Sequence, residues 1–121
     1  MDPLIIDIIQ NFDPHFELYK KKDKVSKFYT YFESKNIKNH RVIATKDNSI
    51  LIGEKHGNEI KGFYIVKYRD NNTVYVGELL NKIRQGYGYR SFANSDLIYE
   101  GDYENNLKSG HGKLWSIKSK M

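Results

Sequence analysis

Alternation of apolar and polar positions governs the second half of the chain. Val74-Tyr75-Val76-Gly77-Glu78-Leu79-Leu80 reads as a strand, with Tyr75, Gly77 and Leu79 on one face because successive side chains point to opposite sides. Asn81-Lys82 breaks it as a turn, and Gly86-Tyr87-Gly88-Tyr89-Arg90-Ser91-Phe92 reads as the return strand. Ala93-Asn94-Ser95-Asp96 is a second turn, rich in side chains that bond their own backbone. The hairpin then repeats. Tyr75-Val76-Gly77-Glu78 returns as Tyr99-Glu100-Gly101-Asp102, and Gly86-Tyr87-Gly88 as Gly110-His111-Gly112, both after 24 residues. The same step backwards finds Leu51-Ile52-Gly53-Glu54 and Gly62-Phe63-Tyr64. A fixed period of this size marks a repeat architecture.

Upstream the pattern loosens. Phe28-Tyr29-Thr30-Tyr31-Phe32, a polar turn, and Arg41-Val42-Ile43-Ala44-Thr45 read as a degenerate first hairpin. Asp47-Asn48-Ser49, Asp70-Asn71-Asn72 and Asn94-Ser95-Asp96 are equivalent turns between hairpins. Residues 28 to 117 are therefore expected to form a meander of antiparallel hairpins in one twisted sheet, with helix only before residue 27. Residues 1 to 12 carry a helical start signal in Asp2-Pro3. Ile5, Ile8, Ile9 and Phe12 then follow the spacing of one buried helical face. Pro14 to Lys22 reads as a second short helix. This apolar face fits a cap on the open end of the sheet better than a membrane anchor, because repeat arrays need capped ends and no Lys or Arg flanks it. Glycine weakens a strand, so glycines recurring at one position suggest a close approach. Rings from the neighbouring hairpin, drawn from Tyr75, Tyr99, Tyr103 and Trp115, are expected to lie over the bare backbone.

The residues carrying this periodicity resemble the MORN repeat, whose pattern is an aromatic, one residue, a Gly, and a Gly-x-Gly nine positions on. Tyr75, Gly77, Gly86 and Gly88 fit it fully, as do Tyr99, Gly101, Gly110 and Gly112. Leu51, Gly53, Gly62 and Tyr64 fit in part, with Leu for the aromatic and Tyr for the last Gly. The family favours Gly in the hairpin turn, where this chain has Lys82 and Asn106. The resemblance implies an elongated, twisted antiparallel sheet; with the N-terminal helix signals, the expected fold is mainly β, a single-sheet antiparallel meander of MORN-type hairpins behind a short N-terminal α-helical cap. The hydrophobic pattern divides the chain into residues 1–27, cap and basic linker, and residues 28–121, MORN-like repeats. The resemblance also implies a binding or scaffolding role without catalysis.

Composition narrows the field only a little. The chain has 121 residues, 39% hydrophobic and 14% aromatic, enough for one thin-cored domain. It has no cysteine, hence no disulfide framework. The longest apolar run, Pro3 to Ile9, is broken by Asp7 and is too short to span a bilayer. No positive charge precedes it as in a secretory signal, so a soluble, cytoplasmic protein is expected. His15, His40, His56 and His111 lack ligand-like spacing, no Gly-x-Ser-x-Gly elbow is present, and Gly86-Tyr87-Gly88 lacks the rest of a nucleotide loop. No catalytic residue, metal or cofactor is expected, and the protein reads as non-enzymatic. The acidic positions Glu54, Glu78 and Asp102, in repeat register, are expected to face solvent beside cations of the next strand.

What remains is a surface. Tyr87 and His111 extend one row with Phe63; Tyr89 and Lys113 extend another with Ile65; Arg84 and Lys108 form a basic pair in register. Aromatic and Arg groups on a rigid sheet are the usual anchors of protein interfaces, so Phe63, Arg84, Tyr87, Tyr89, Arg90, Lys108, His111 and Lys113 are the candidate contacts for another protein. Lys, Asn, Ile and Tyr, all with AT-rich codons, are abundant. A small free-standing module from such a genome fits a viral or phage-encoded inhibitor that occupies a host defence protein, such as a nucleic-acid-guided nuclease. The alternative follows from the net charge of +5. Lys20, Lys21, Lys22, Lys24 and Lys27, with Arg84 and Lys108, would then bind anionic phosphates of phospholipid head groups or RNA. Neither reading sets an oligomeric state.

Overall fold

The computed structural model of the protein describes residues 40–54, 56–69, 73–92 and 97–116, together with Ile9. Within them the strands are β1 (His40–Ala44), β2 (Ile50–Glu54), β3 (Lys61–Lys67), β4 (Thr73–Leu80), β5 (Ile83–Phe92), β6 (Leu97–Glu104) and β7 (Leu107–Ser116). They form one sheet in chain order, every neighbouring pair antiparallel. This is the expected meander of hairpins. The expected N-terminal helices, the strand over residues 28–32, the boundary at residue 27 and the basic run lie outside the described residues. Ile9 is fully buried.

The turns explain the register. Asn81 and Lys82 sit at φ 53° and 70°, and Asn105 and Asn106 at φ 51° and 72°. Two successive positive φ values make the tight hairpin turn whose twist matches that of the flanking strands. Each turn also grips the preceding unit. The Lys82 N–H donates to Ile60 O at 3.3 Å, and the Asn106 N–H to Arg84 O at 3.0 Å. At the β1–β2 turn, Asn48 has φ 66°, and the Asp47 carboxylate accepts from the Ser49 N–H at 3.1 Å and from the Thr45 hydroxyl. Those bonds hold the Asp47 carboxyl below its ordinary range.

The recurring glycines serve two separate purposes. Gly62, Gly86 and Gly110 have φ of 97°, 87° and 55°, a region costly for residues with a Cβ. Gly86 and Gly110 fall where the β4–β5 and β6–β7 registers shift. In the last unit the Asp102 carboxylate accepts the His111 N–H at 3.2 Å, so one member of the acidic row serves the bulge. The other glycines are bare because space is filled. Gly77 pairs with Gly88 and Gly101 with Gly112. A Cβ on Gly77 would stand 2.5 Å from Tyr87 O and 2.6 Å from Gly88 Cα, and one on Gly88 would stand 2.5 Å from Tyr75 Cε1. The covering ring comes from the same hairpin, not from its neighbour as expected. Tyr75 covers Gly88, with its hydroxyl donating to Glu78 O at 2.7 Å; Tyr99 covers Gly112 and donates to Asp102 O at 3.0 Å. The side chain must lean along the strand to reach its own carbonyl three residues on, and that leaning brings it over the paired glycine.

The partial unit solves the same problem from the other strand. Gly53 pairs with Tyr64, and the Tyr64 ring itself fills the space over Gly53. Leu51 stands where Tyr75 and Tyr99 stand. The ring has changed strands, and the glycine it covers has changed with it.

Pleating gives the sheet two faces. Leu51, Tyr64, Val66, Tyr75, Leu79, Tyr99 and Tyr103 form one core cluster, the tyrosine face. Tyr103 meets Tyr75 and Tyr99 edge to face, with centroids 5.4 and 5.3 Å apart. On the opposite face Phe63, Ile65, Val74, Val76, Tyr89 and Ile98 are buried as well.

Candidate binding surface

The tyrosine face carries cations as well as rings. Arg84 lies in register with Leu79, Arg90 with Tyr75 and Tyr99, and Lys108 with Tyr103. Even spacing along β5 and β7 therefore keeps all three on one side. The Arg84 guanidinium carbon lies 5.3 Å from the Tyr103 ring centre, 5.8 Å from that of Tyr68 and 6.0 Å from that of Tyr75. Arg90 lies 5.4 Å from Tyr68 and 4.9 Å from Phe92, and the Lys108 ammonium lies 5.3 Å from both Phe92 and Tyr99. Such contacts are individually worth about 0.5–1 kcal/mol where exposed. Shared rings link the cations: Tyr68 lies under both arginines, and Phe92 under Arg90 and Lys108.

The three cations differ in how firmly they are held. Arg84 donates to the Tyr68 hydroxyl at 3.1 Å and to Asn106 O at 2.9 Å, while its own N–H donates to Asn106 Oδ1 at 2.8 Å. It is a strut between β5 and the last hairpin turn. Arg90 has a long bond to Thr73 Oγ1 at 3.4 Å. Lys108 is exposed. Among the described residues none of the three pairs with a carboxylate. The Nε atoms of Arg84 and Arg90 are enclosed without hydrogen-bond partners. Burial, then the Arg84 charge, push the Arg90 guanidinium below its ordinary range. Burial pushes the Tyr103 phenol up, opposed by the Arg90 and Arg84 charges.

Next to this cluster, on the same face, a concavity of about 700 Å³ lies among Ile43, Leu51, Val66, Tyr68 and Leu79, with Lys46, Asp47 and Lys82 also lining it. Tyr68 belongs to both. The pleat keeps the strand carboxylates to one face. Strand positions 78, 100, 102 and 104, all carboxylates, fall on the opposite face with Lys61, Lys67 and Lys113, while the strand arginines Arg41, Arg84 and Arg90 and Lys108 fall on the tyrosine face. Arg41 is turned to the backbone, donating to Gly57 O at 3.1 Å and Glu59 O at 2.6 Å.

The candidate residues thus separate. Arg84, Arg90 and Lys108 come together. Phe63 and Tyr89 lie on the opposite face, 4% and 0% exposed, with their surfaces already covered. Tyr87, His111 and Lys113 share that side. Tyr87 is half-buried, its phenol pushed up by burial and then by Glu100 and Asp102. His111 is exposed, and Lys113 lies 4.0 Å from Glu100. Lys20, Lys21, Lys22, Lys24 and Lys27 lie outside the described residues. Tyr68 and Phe92 were missed by pattern, yet they stand 24 residues apart, in the period of the repeat. Among the described residues no group of three or more His, Asp or Glu could hold a metal, and no helix is long and apolar enough to cross a membrane.

Residues 75–97 and 99–119 each match the MORN repeat as a family. The chain carries MORN repeats. The matched segments begin at Tyr75 and Tyr99, the two rings that cover glycines from within their own hairpins. They stop short of the unit in which the ring has changed strands. MORN repeats generally bind proteins or membrane phospholipids and are typically non-enzymatic modules. No curated protein matches the chain.

Proposed function

We propose that this MORN-repeat protein is a non-enzymatic protein-binding module that engages its partner through the tyrosine face. The observation that carries this reading is the cluster of Arg84, Arg90 and Lys108 over Tyr68, Phe92, Tyr99 and Tyr103, with no paired carboxylate among the described residues. Tyr99 and Tyr103 are buried beneath the cations, while Tyr68 and Phe92 stay partly open beside Arg84 and Arg90; partly open Arg and aromatic side chains on a preformed surface are the groups that dominate interface energetics. A sheet that holds the arginines against rings lowers the ordering cost of binding. The narrower reading, a viral or phage-encoded inhibitor occupying a host defence protein, rests on the abundance of residues with AT-rich codons alone.

Affinity purification from the source cell tests the face. The intact protein, Arg90→Gln/Lys108→Gln and Lys113→Gln are compared, each with its melting temperature measured. A stoichiometric protein recovered with the intact chain and with Lys113→Gln, and lost with the double variant, is the expected result. Equal recovery with all three would remove this face from the site. Binding to RNA or to anionic liposomes with no protein recovered would replace the reading with the phosphate alternative.

A further inference from the structure

We infer that the tyrosine face recognises an acidic, extended segment of a partner protein, with an apolar side chain of that segment seated in the concavity among Ile43, Leu51, Val66 and Leu79. This rests on the reading of that face as the binding surface and adds the chemistry of what binds.

Charge complementarity is the first argument. The pleat leaves the strand positions of the tyrosine face without a carboxylate while placing Arg84, Arg90 and Lys108 there. Like charges held over shared rings repel one another, and enclosed Nε atoms without partners raise that cost. An anion on this face relieves the repulsion through charge-assisted bonds, which are stronger than neutral ones. Carboxylate geometry suits the arginines, whose N–H fork donates to two oxygens at once.

Reach is the second argument. The concavity draws residues from β1 to β4, and Lys108 lies on β7. Adjacent strands lie about 4.8 Å apart, so Leu51 on β2 and Lys108 are separated by roughly 24 Å of sheet, the length of about seven extended residues at about 3.3 Å each. A single phosphate covers one cation pair. A peptide lying across the strands covers the apolar hollow and the cations together, and it takes negative side chains at one end and an apolar one at the other.

The test is fluorescence anisotropy of the full chain with a labelled peptide that has a leucine pair at one end and glutamates through the rest. A sibling peptide has lysines in place of the glutamates. The glutamate peptide is expected to bind, to weaken as salt rises, and to weaken about fivefold in each of Arg90→Gln and Lys108→Gln, while Lys113→Gln binds as the intact chain does. Equal binding of the lysine sibling, or full binding by the double variant, overturns the inference. So does binding of phosphatidylserine vesicles by a chain that ignores the glutamate peptide. If the peptide fails to bind but Arg90→Gln/Lys108→Gln still loses its cellular protein, the acidic chemistry is wrong and the face stands. If the double variant also keeps that protein, both fall.

Discussion

Exchanging the ring between strands in the partial unit tests the account of the repeat most directly. Tyr64→Gly removes a fully buried ring, and losses of that kind cost about 3–5 kcal/mol. The new glycine adds roughly 0.5–1 kcal/mol of backbone entropy. Leu51→Tyr alone inserts a second ring beside Tyr64 over Gly53, and overpacking costs about 1–3 kcal/mol. Made together, the two changes rebuild the arrangement of Tyr75 over Gly88, in which the hydroxyl finds the carbonyl three residues on at 2.7 Å. Additive costs would total about 4.5–9 kcal/mol, enough to unfold a domain of ordinary stability. Equivalence of the two arrangements instead predicts a folded double variant, with a coupling at or above the roughly 0.5–3 kcal/mol usual for touching residues. Urea titration of the four proteins of the cycle reads this out. A double variant whose loss equals the sum of the single losses refutes the equivalence, and with it the claim that the glycines exist to receive a ring.

Further outcomes follow from the same contacts. Gly77→Val is expected to lower stability by about 1–3 kcal/mol despite valine's strand preference, because its Cβ would meet Tyr87 O at 2.5 Å; an unchanged melting temperature would contradict this. Arg84→Ala is expected to destabilise by breaking the strut to Asn106 and Tyr68, whereas Tyr87→Ala, half-buried, costs less; thermal melts that reverse the order would dismiss the strut. Deleting residues 1 to 12 removes the fully buried Ile9 and is expected to lower the melting temperature, since a buried aliphatic contributes about 1.5–3 kcal/mol; an unchanged melt with loss of liposome binding would favour a membrane anchor. Burial raises the phenols of Tyr75, Tyr87, Tyr99 and Tyr103 in the folded state. The unfolded chain then releases protons first above about pH 10, so stability is intact below that pH and falls as pH rises beyond it. Denaturant midpoints that do not fall above that pH would refute this.

The meander was legible because its signals are local. Turn residues, alternation and a repeated step of 24 all lie within one hairpin, and they placed β1 to β7 in order. The purpose of each glycine was less legible. Gly86 and Gly88 look alike in the sequence, yet one sits at φ 87° at a bulge and the other lies bare beneath Tyr75. Nor does a Tyr-x-Gly pattern say which hairpin receives the ring, since that depends on how far the side chain leans along its strand.

The candidate surface was harder still, and the reason is physical. Parity alone assigns Phe63, Tyr87 and Tyr89 to one side and Arg84, Arg90 and Lys108 to the other, because side chains alternate. Parity cannot say which side is covered. Phe63 and Phe92 are the same residue on strands of the same sheet, yet Phe63 is buried and Phe92 stays partly open beneath Arg90 and Lys108. The difference lies in their neighbours. A ring beside apolar positions such as Ile65 and Val76 adds to a face that hides from water. A ring beneath guanidinium and ammonium groups belongs to a face that must keep contact with water or with an anion, because a charge removed from both is costly. Both faces bury rings, so it is the placement of the cations, more than that of the rings, that singles out the face proposed to bind.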